Sequence, residues 1–155
     1  MNPKNDSRHN ARIAAVQKLF ERQFINNNIS QSYPLEYDLE DLNEILEENF
    51  DQELFQKLYS GTQKFYKLCD ETIRKLAPQW PIEMINKVDL QILRLAIFEA
   101  FISEINPTKV VINEAIDLAK EFGGGPSGKF VNGVLGNLIN NEELIKFIHD
   151  SKNKY

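Results

Sequence analysis

The amino-acid sequence predicts an all-α fold. Apolar residues recur at intervals of three and four along most of the chain, which is the period of an amphipathic helix. Proline residues, an asparagine run and a glycine run separate these segments, and all of them are typical of helix ends. No stretch of alternating apolar and polar residues indicates a strand. We therefore expect helices throughout the chain.

The composition is typical of a soluble globular domain with a sizeable core. The chain has 155 residues, of which 42% are hydrophobic and 26% charged. No apolar run is long enough to span a membrane, and residues 1–10 are too polar for a secretory signal. The only cysteine, Cys69, cannot form an internal disulfide, and its apolar neighbours predict a buried side chain. Together these observations predict a cytoplasmic protein.

The first predicted helix begins at Ser7, a residue suited to an N-cap, and ends at the asparagines 26–28. Its apolar stripe consists of Ile13, Val16, Phe20 and Phe24. A polar loop over residues 29–37 and a short acidic helix over residues 38–48 are expected to follow.

A long helix is predicted to start at Asp51, whose carboxylate can cap it. Phe50 and Phe55 occupy the two positions of a hydrophobic staple around that cap. Gly61 lies inside the helix, where it allows either a close approach by another helix or a mild kink.

The whole chain, residues 1–155, is predicted to form one helical domain. Pro78 and Pro81 mark a break in the pattern. We expect this break to separate an N-terminal subdomain, residues 1–78, from a C-terminal one, residues 79–155.

The C-terminal part predicts a buried central helix and three more. Apolar residues surround the axis of segment 88–104, so that helix should be central. Pro107 suits the first turn of the next helix, which the turn Gly-Gly-Gly-Pro at 123–126 ends. Ser127 or a neighbouring residue is expected to begin another helix, and a short last helix covers residues 142–149.

The residues do not indicate catalysis, a cofactor or a metal ion. His9 and His149 are the only histidines, and neither has metal-ligand spacing to a cysteine or carboxylate. The glycine turn at 123–126 follows a helix and lacks the order of a phosphate-binding loop. We therefore predict that the protein is not an enzyme.

The charge is unevenly distributed. The net charge is −5, but residues 1–22 hold five basic and two acidic side chains, whereas residues 36–53 hold nine acidic and none that is basic. A basic N-terminal face could bind RNA locally. The alternative is a solvated helix face beside an acidic segment, and charge alone favours this alternative.

The candidate RNA-binding residues of the first helix lie at helical spacing. Arg8 and Arg12 are four apart and share one face, and Lys4 extends the line. Gln17 and Phe20 follow along the same helix, where amides and rings can contact bases. Phe20 also belongs to the apolar stripe, so core packing is its alternative role.

A second candidate group lies near the start of the helix that follows the glycine turn. A helix N-terminus favours phosphates, and Lys129 adds to this effect. Phe130 is the neighbouring aromatic residue, and its alternative role is packing.

Three blocks of the sequence carry a family pattern. They read ARIAAVQKLF over residues 11–20, VDLQILRLAIFE over 88–99, and PTKVVINEAIDLAKEFG followed by SGKFVNGVL over 107–135. Together they resemble the NusB family of bacterial transcription antitermination factors. The resemblance implies an all-α fold of two small three-helix subdomains packed into one globular domain, without enzymatic activity.

The resemblance also implies partners. Such proteins pair with NusE, a ribosomal protein, bind the single-stranded boxA element of nascent RNA, and help RNA polymerase to read through terminators, notably in ribosomal RNA operons. The RNA-contacting positions of the family correspond here to Arg8, Arg12, Gln17, Phe20, Lys129 and Phe130. Asp89 corresponds to an acidic position near the RNA and partner surface.

This chain departs from the family pattern at His9 and Asn10, where further arginines are expected. Fewer phosphate contacts predict weaker RNA binding and greater dependence on the partner. One alternative is a helical protein-interaction module that binds no RNA. Another, a part of an RNA-modifying methyltransferase, is disfavoured because 155 residues leave no room for a domain that binds the methyl donor. Self-association is a further alternative, since some family members form homodimers.

Overall fold

The computed structural model describes residues 6–28 and 49–155, and for 24–28 it describes the backbone alone. Within these ranges the chain forms helices and short connections without strands, which confirms the all-α prediction. The helices are α1 (Ser7–Asn28), α2 (Gln52–Leu76), α3 (Lys87–Ile97), α4 (Thr108–Ile139) and α5 (Glu142–Ser151). No described helix is both long and apolar enough to cross a membrane. The predicted loop over 29–37, the acidic helix over 38–48 and Lys4 lie outside the described residues.

The chain divides into two compact units, Met1–Ser60 and Gly61–Tyr155. The division falls within α2, and the expected subdomain boundary near residue 78 stays a prediction. Each unit is described below by itself.

Helix α1 is capped by Asp6, so the predicted cap at Ser7 is wrong. The Asp6 Oδ1 atom accepts hydrogen bonds from the backbone N–H groups of Arg8 (3.0 Å) and His9 (3.4 Å). Ser7 already lies in the first turn. A carboxylate both accepts these bonds and interacts favourably with the positive end of the helix dipole, which explains why aspartate takes the position.

The buried side of α1 is built mainly from small side chains. Val16 is buried as predicted, but Ile13 and Phe20 are only half-buried. The other buried apolar residues of this helix are Ala11, Ala14, Ala15 and Leu19. Ile13 and Phe20 therefore lie at the margin of the packed face.

The start of α2 follows the prediction. The backbone N–H of Leu54 donates to Asp51 Oδ1 at 3.0 Å, which is the expected cap. The rings of Phe50 and Phe55 pack edge to face with centroids 5.8 Å apart, forming the expected staple.

Helix α3 is the buried centre of the second unit, as predicted. Asn86 caps it, accepting from the N–H groups of Val88 and Asp89. The predicted helix over 88–104 is shorter as an α-helix, because a π-helical turn over Phe98–Ile102 follows it. In that turn the N–H of Ser103 donates to Phe98 O at 2.8 Å, five residues back.

Gly61 serves close packing within the second unit. The Phe98 ring occupies the space that a β-carbon at position 61 would need. The same ring stacks on Phe65, with centroids 6.0 Å apart and planes 22° apart. Of the two predicted roles of Gly61, close approach is therefore confirmed.

Helix α4 contains the predicted break. Gly124 has φ 78° and ψ −165°, a conformation that side chains with a β-carbon rarely adopt, and it interrupts the helix before Pro126. Pro107 precedes the first helical residue Thr108, so its predicted place in the first turn is off by one. The residues that pack after the break are Val131, Val134, Leu135 and Leu138, all buried.

Candidate nucleic-acid interface

Arg8 and Arg12 share one side of α1, but they differ in exposure. Arg8 is exposed, whereas Arg12 retains only 4% of its accessible surface. The RNA contact expected of Arg12 stays a prediction, and its burial leaves little of its surface for one. Residues 9–12 are all buried, so α1 is covered around most of its circumference here and only Arg8 extends to solvent.

His9 and Asn10, which replace expected arginines, have structural positions. Both are 5% exposed. The Asn10 side-chain amide donates to the backbone carbonyl of Asn49 at 2.7 Å. Next to it, the backbone N–H of Asp51 donates to Ser7 O at 3.0 Å. These bonds hold the first turn of α1 against the segment that leads into α2, a role that a long cationic side chain at position 10 would not fill.

Gln17 and Phe20 lie one turn apart further along α1, and both are half-buried. Their sequence neighbours Lys18 and Glu21 form an ion pair at 3.2 Å. Arg22 donates to the Tyr59 hydroxyl at 3.5 Å. Gln17 and Phe20 can therefore present part of their surface to a ligand while the rest of each side chain packs within the first unit.

In the second unit, Lys129 and Phe130 follow the break in α4. Lys129 is exposed and Phe130 is half-buried. The Phe130 ring packs edge to face against Trp80, with centroids 6.3 Å apart and planes 68° apart. Sequence reasoning did not select Trp80. The sequence signal that could have indicated it is a tryptophan placed between two prolines, Pro78 and Pro81.

Asp89 lies against the same break in α4. Its Oδ2 accepts a hydrogen bond from the Ser127 hydroxyl at 3.2 Å, and the side chain is only 6% exposed. Its Oδ1 is buried and has no hydrogen-bond partner among the described residues. Burial raises the pKa of Asp89 above its ordinary value, and the Ser127 hydrogen bond partly opposes this rise.

Gly123 makes the contact between Asp89 and Ser127 possible. A β-carbon at position 123 would overlap the Ser127 hydroxyl, and it would lie 3.8 Å from Asp89 Oδ1. The absence of a side chain at position 123 thus leaves room for the Ser127 hydroxyl beside the carboxylate.

Two polar side chains of the second unit form structural contacts. The half-buried Arg94 donates from Nε and a terminal nitrogen to the two Asp70 oxygens, both at 2.8 Å, in a bidentate ion pair. The Cys69 thiol is fully buried and donates to Arg94 O at 3.5 Å. Burial, followed by the nearby Asp70 charge, raises the pKa of Cys69, so this thiol resists ionisation.

The predicted binding residues thus fall into two described groups. Arg8, Arg12, Gln17 and Phe20 lie on α1 in the first unit, and Asp89, Lys129 and Phe130 lie around the α4 break in the second. Among the described residues, no group of three or more histidine, cysteine, aspartate or glutamate side chains is arranged to hold a metal ion.

The protein is small and all-α. Exposed cations lie near helix starts with aromatic residues beside them, which makes it a candidate member of a class of small RNA-binding helical proteins. The chain belongs to the NusB family, whose family model matches residues 9–140. It is similar to the transcription antitermination protein NusB of Chloroflexus aggregans, with 42% identity over 134 residues that cover 85% of this chain and 86% of the relative. The matches confirm the resemblance found in the sequence.

Two solved structures share the fold. T. maritima NusB is 27% identical with a TM-score of 0.67, and the alignment covers 91% of this chain and 99% of that one. A chain from a crystal structure of antitermination factors NusB and NusE in complex with double-stranded RNA gives a TM-score of 0.64 at 22% identity. That alignment covers 94% of this chain and 98% of the other.

Proposed function

We propose that this protein is a non-catalytic transcription antitermination factor that binds RNA together with NusE. The observation that carries the proposal is the family match over residues 9–140, with a relative 42% identical that is named as an antitermination protein. The related crystal structure that contains NusB, NusE and RNA supports both partners. No comparable observation favours a helical module that binds protein alone.

The RNA ligand in this proposal is the single-stranded boxA element. Arg8 contacts phosphates from the exposed side of α1, and Lys129 does so from the second unit. Phe130 and the exposed part of Phe20 contact bases, and Gln17 bonds to base edges. Lys4 adds a further cation. Arg12 belongs to the same group, but its burial makes its main contribution the placement of α1.

Asp89 is proposed to meet the protein partner. A buried carboxylate oxygen without a hydrogen bond is costly, so a partner that moved the residues covering Oδ1 aside and supplied a donor would gain free energy. NusE is the partner proposed for this contact. The Ser127 hydrogen bond holds the carboxylate in position for it.

In the cell, the complex is proposed to act in the cytoplasm with the RNA polymerase antitermination assembly, promoting read-through of ribosomal RNA operons. A homodimer is the alternative assembly, and it would cover the surface that otherwise meets RNA. The oligomeric state is measured by sedimentation before any binding experiment.

The first experiment is fluorescence anisotropy of a labelled boxA RNA, with and without NusE, at low and moderate salt. We expect salt-sensitive binding that NusE strengthens. Arg8→Ala should weaken binding. It should also reduce the magnitude of the slope of log affinity against log salt by about 0.7, the value for one phosphate contact on a single strand. Lys57→Ala is the control, because Lys57 is an exposed α2 cation paired with Glu53 at 3.1 Å.

Two outcomes would contradict the proposal. If folded protein binds NusE but no RNA at any salt, the chain is a protein-interaction module. If Arg8→Ala and Lys57→Ala change affinity equally, the contribution of Arg8 is general charge and the assignment of a specific contact is wrong.

A further inference from the structure

Trp80 is held in a fixed place by its local backbone. The backbone N–H of Trp80 donates to Ala77 O at 3.0 Å, which closes a four-residue turn with Pro78 at its second position, where proline is favoured. Pro81 follows directly and leads into a 3₁₀ turn over Ile82–Met84, where the Met84 N–H donates to Pro81 O at 2.9 Å. With hydrogen-bonded turns on both sides, the Trp80 backbone has little freedom left to lose when a ligand binds.

The Trp80 side chain is ordered yet open to solvent. Trp80 is 55% exposed, although its indole packs against the Phe130 ring in a T-shaped contact at a centroid distance of 6.3 Å. A large aromatic ring with more than half of its surface in water leaves a costly apolar area uncovered. The contact with Phe130 restricts the indole and leaves its remaining surface available.

On the α4 side, the ring pair is bordered by polar residues, whereas the exposed Pro78, Pro81 and Met84 lie on the Trp80 side. The residues that flank Phe130 on the exposed side of α4 are Lys129 and Asn132, and Gly133 adds no side chain. A protein partner would favour a continuous apolar patch around such rings. An exposed aromatic ring bordered by a cation and an amide matches an unpaired base with its phosphate, because the ring stacks on the base and the lysine neutralises the charge.

We propose that Trp80 and Phe130 together form a stacking platform for an unpaired RNA base, with Lys129 contacting the adjoining phosphate. This inference rests on the proposed RNA-binding function and adds Trp80 to it. Trp80 supplies the exposed ring, and the contact with Phe130 fixes its orientation.

The test uses the emission of Trp80, which is the only tryptophan of the chain. Wild-type protein is titrated with single-stranded boxA RNA, with the partner present and its own emission subtracted. Stacking should quench the indole and protect it from acrylamide, a neutral quencher that leaves salt unchanged. Anisotropy of labelled RNA, measured in parallel, reports binding independently of the tryptophan.

Variants then separate stacking from proximity. Trp80→Ala should weaken RNA binding roughly tenfold, the order found for loss of one base–aromatic stack, and Trp80→Phe should restore most of it. Met84→Ala is the matched control, because Met84 is apolar, 72% exposed and belongs to the same connection. Its affinity should equal that of the wild type, and circular dichroism checks that every variant is folded.

The contrary outcomes are distinct. If RNA binds the wild type while Trp80 stays unquenched and accessible to acrylamide, the platform is wrong although the RNA-binding function stands. If Trp80→Ala loses the protein partner but keeps RNA, the rings form a protein contact and the inference is equally overturned. If wild-type protein binds no RNA with the partner present, the proposed function fails and the platform fails with it.

Discussion

The carboxyl of Asp89 combines two properties that are costly in a folded protein. It is 6% exposed, and its Oδ1 has no hydrogen-bond partner among the described residues. A structural aspartate usually gains enough hydrogen bonds for its pKa to fall, whereas burial raises the pKa of Asp89. Such a group lowers the stability of the isolated chain.

Asp89→Asn should change the pH dependence of stability. Because the folded-state pKa of Asp89 lies above its unfolded value of about 3.8, its favourable contribution is fully present below that value and is lost as pH rises through the folded pKa. The difference in free energy of unfolding between Asp89→Asn and wild type should therefore shift in favour of the variant from pH 4 to pH 7. Urea unfolding at several pH values measures this difference, and one that is constant with pH would refute the interpretation.

Arg12 illustrates how burial changes the meaning of a residue. Its spacing from Arg8 suggests an RNA contact, yet it is 4% exposed. Long side chains that lie along apolar surface contribute packing as well as charge. The two arginines should therefore respond differently to the same substitution.

Arg12→Ala should lower the free energy of unfolding by about 1–3 kcal/mol, the usual cost of removing a buried, well-packed side chain. Arg8→Ala should change it by less than about 0.5 kcal/mol, as is typical of exposed positions. Thermal unfolding followed by circular dichroism compares the two variants under one condition. Equal melting temperatures for both would show that Arg12 is as dispensable to the fold as Arg8.

At the scale of the helices, glycines set how closely elements pack. Gly61 lies in the middle of α2, where helix propensity alone would favour alanine. The Phe98 ring from the π-helical turn takes up the missing side-chain volume. Gly123 similarly leaves room for the Ser127 hydroxyl next to Asp89, and Gly124 supplies the positive φ that breaks α4.

Gly61→Ala should destabilise the protein by about 1–3 kcal/mol, because the added methyl group overlaps the Phe98 ring and overpacking outweighs the propensity gain. Gly133→Ala is the matched control. It lies within α4, no atom lies within 4 Å of its expected β-carbon, and the substitution should stabilise by about 0.5–1 kcal/mol. Chemical denaturation measures both, and stabilisation by Gly61→Ala would contradict the packing argument.

At the scale of the whole molecule, net charge limits how RNA can be bound. A chain with net charge −5 attracts phosphates weakly in general, so affinity must come from a few placed cations, rings and the partner. The family's arginine run is thinned here, and Asn10 has a structural bond in its place. Dependence on NusE is the physical consequence we expect.

The sequence by itself determined the features that depend on neighbouring residues. The cap at Asp51, the staple of Phe50 and Phe55, and the break after Gly123 each involve groups within one helical turn. The central position of α3 was also readable, because a helix that is apolar all round must be buried. The family pattern could be read from the same local blocks.

Only the tertiary structure decided which polar groups are buried and which aromatic rings from distant parts of the chain are in contact. Spacing alone presents Arg8 and Arg12 as equivalent, and it does not relate Trp80 to Phe130 or Asp89 to Ser127. The helix cap was predicted at Ser7 instead of Asp6 because serine and aspartate are nearly equal as caps. The other differences share one physical reason. Burial and contact depend on side chains contributed by distant parts of the chain, and no local pattern contains that information.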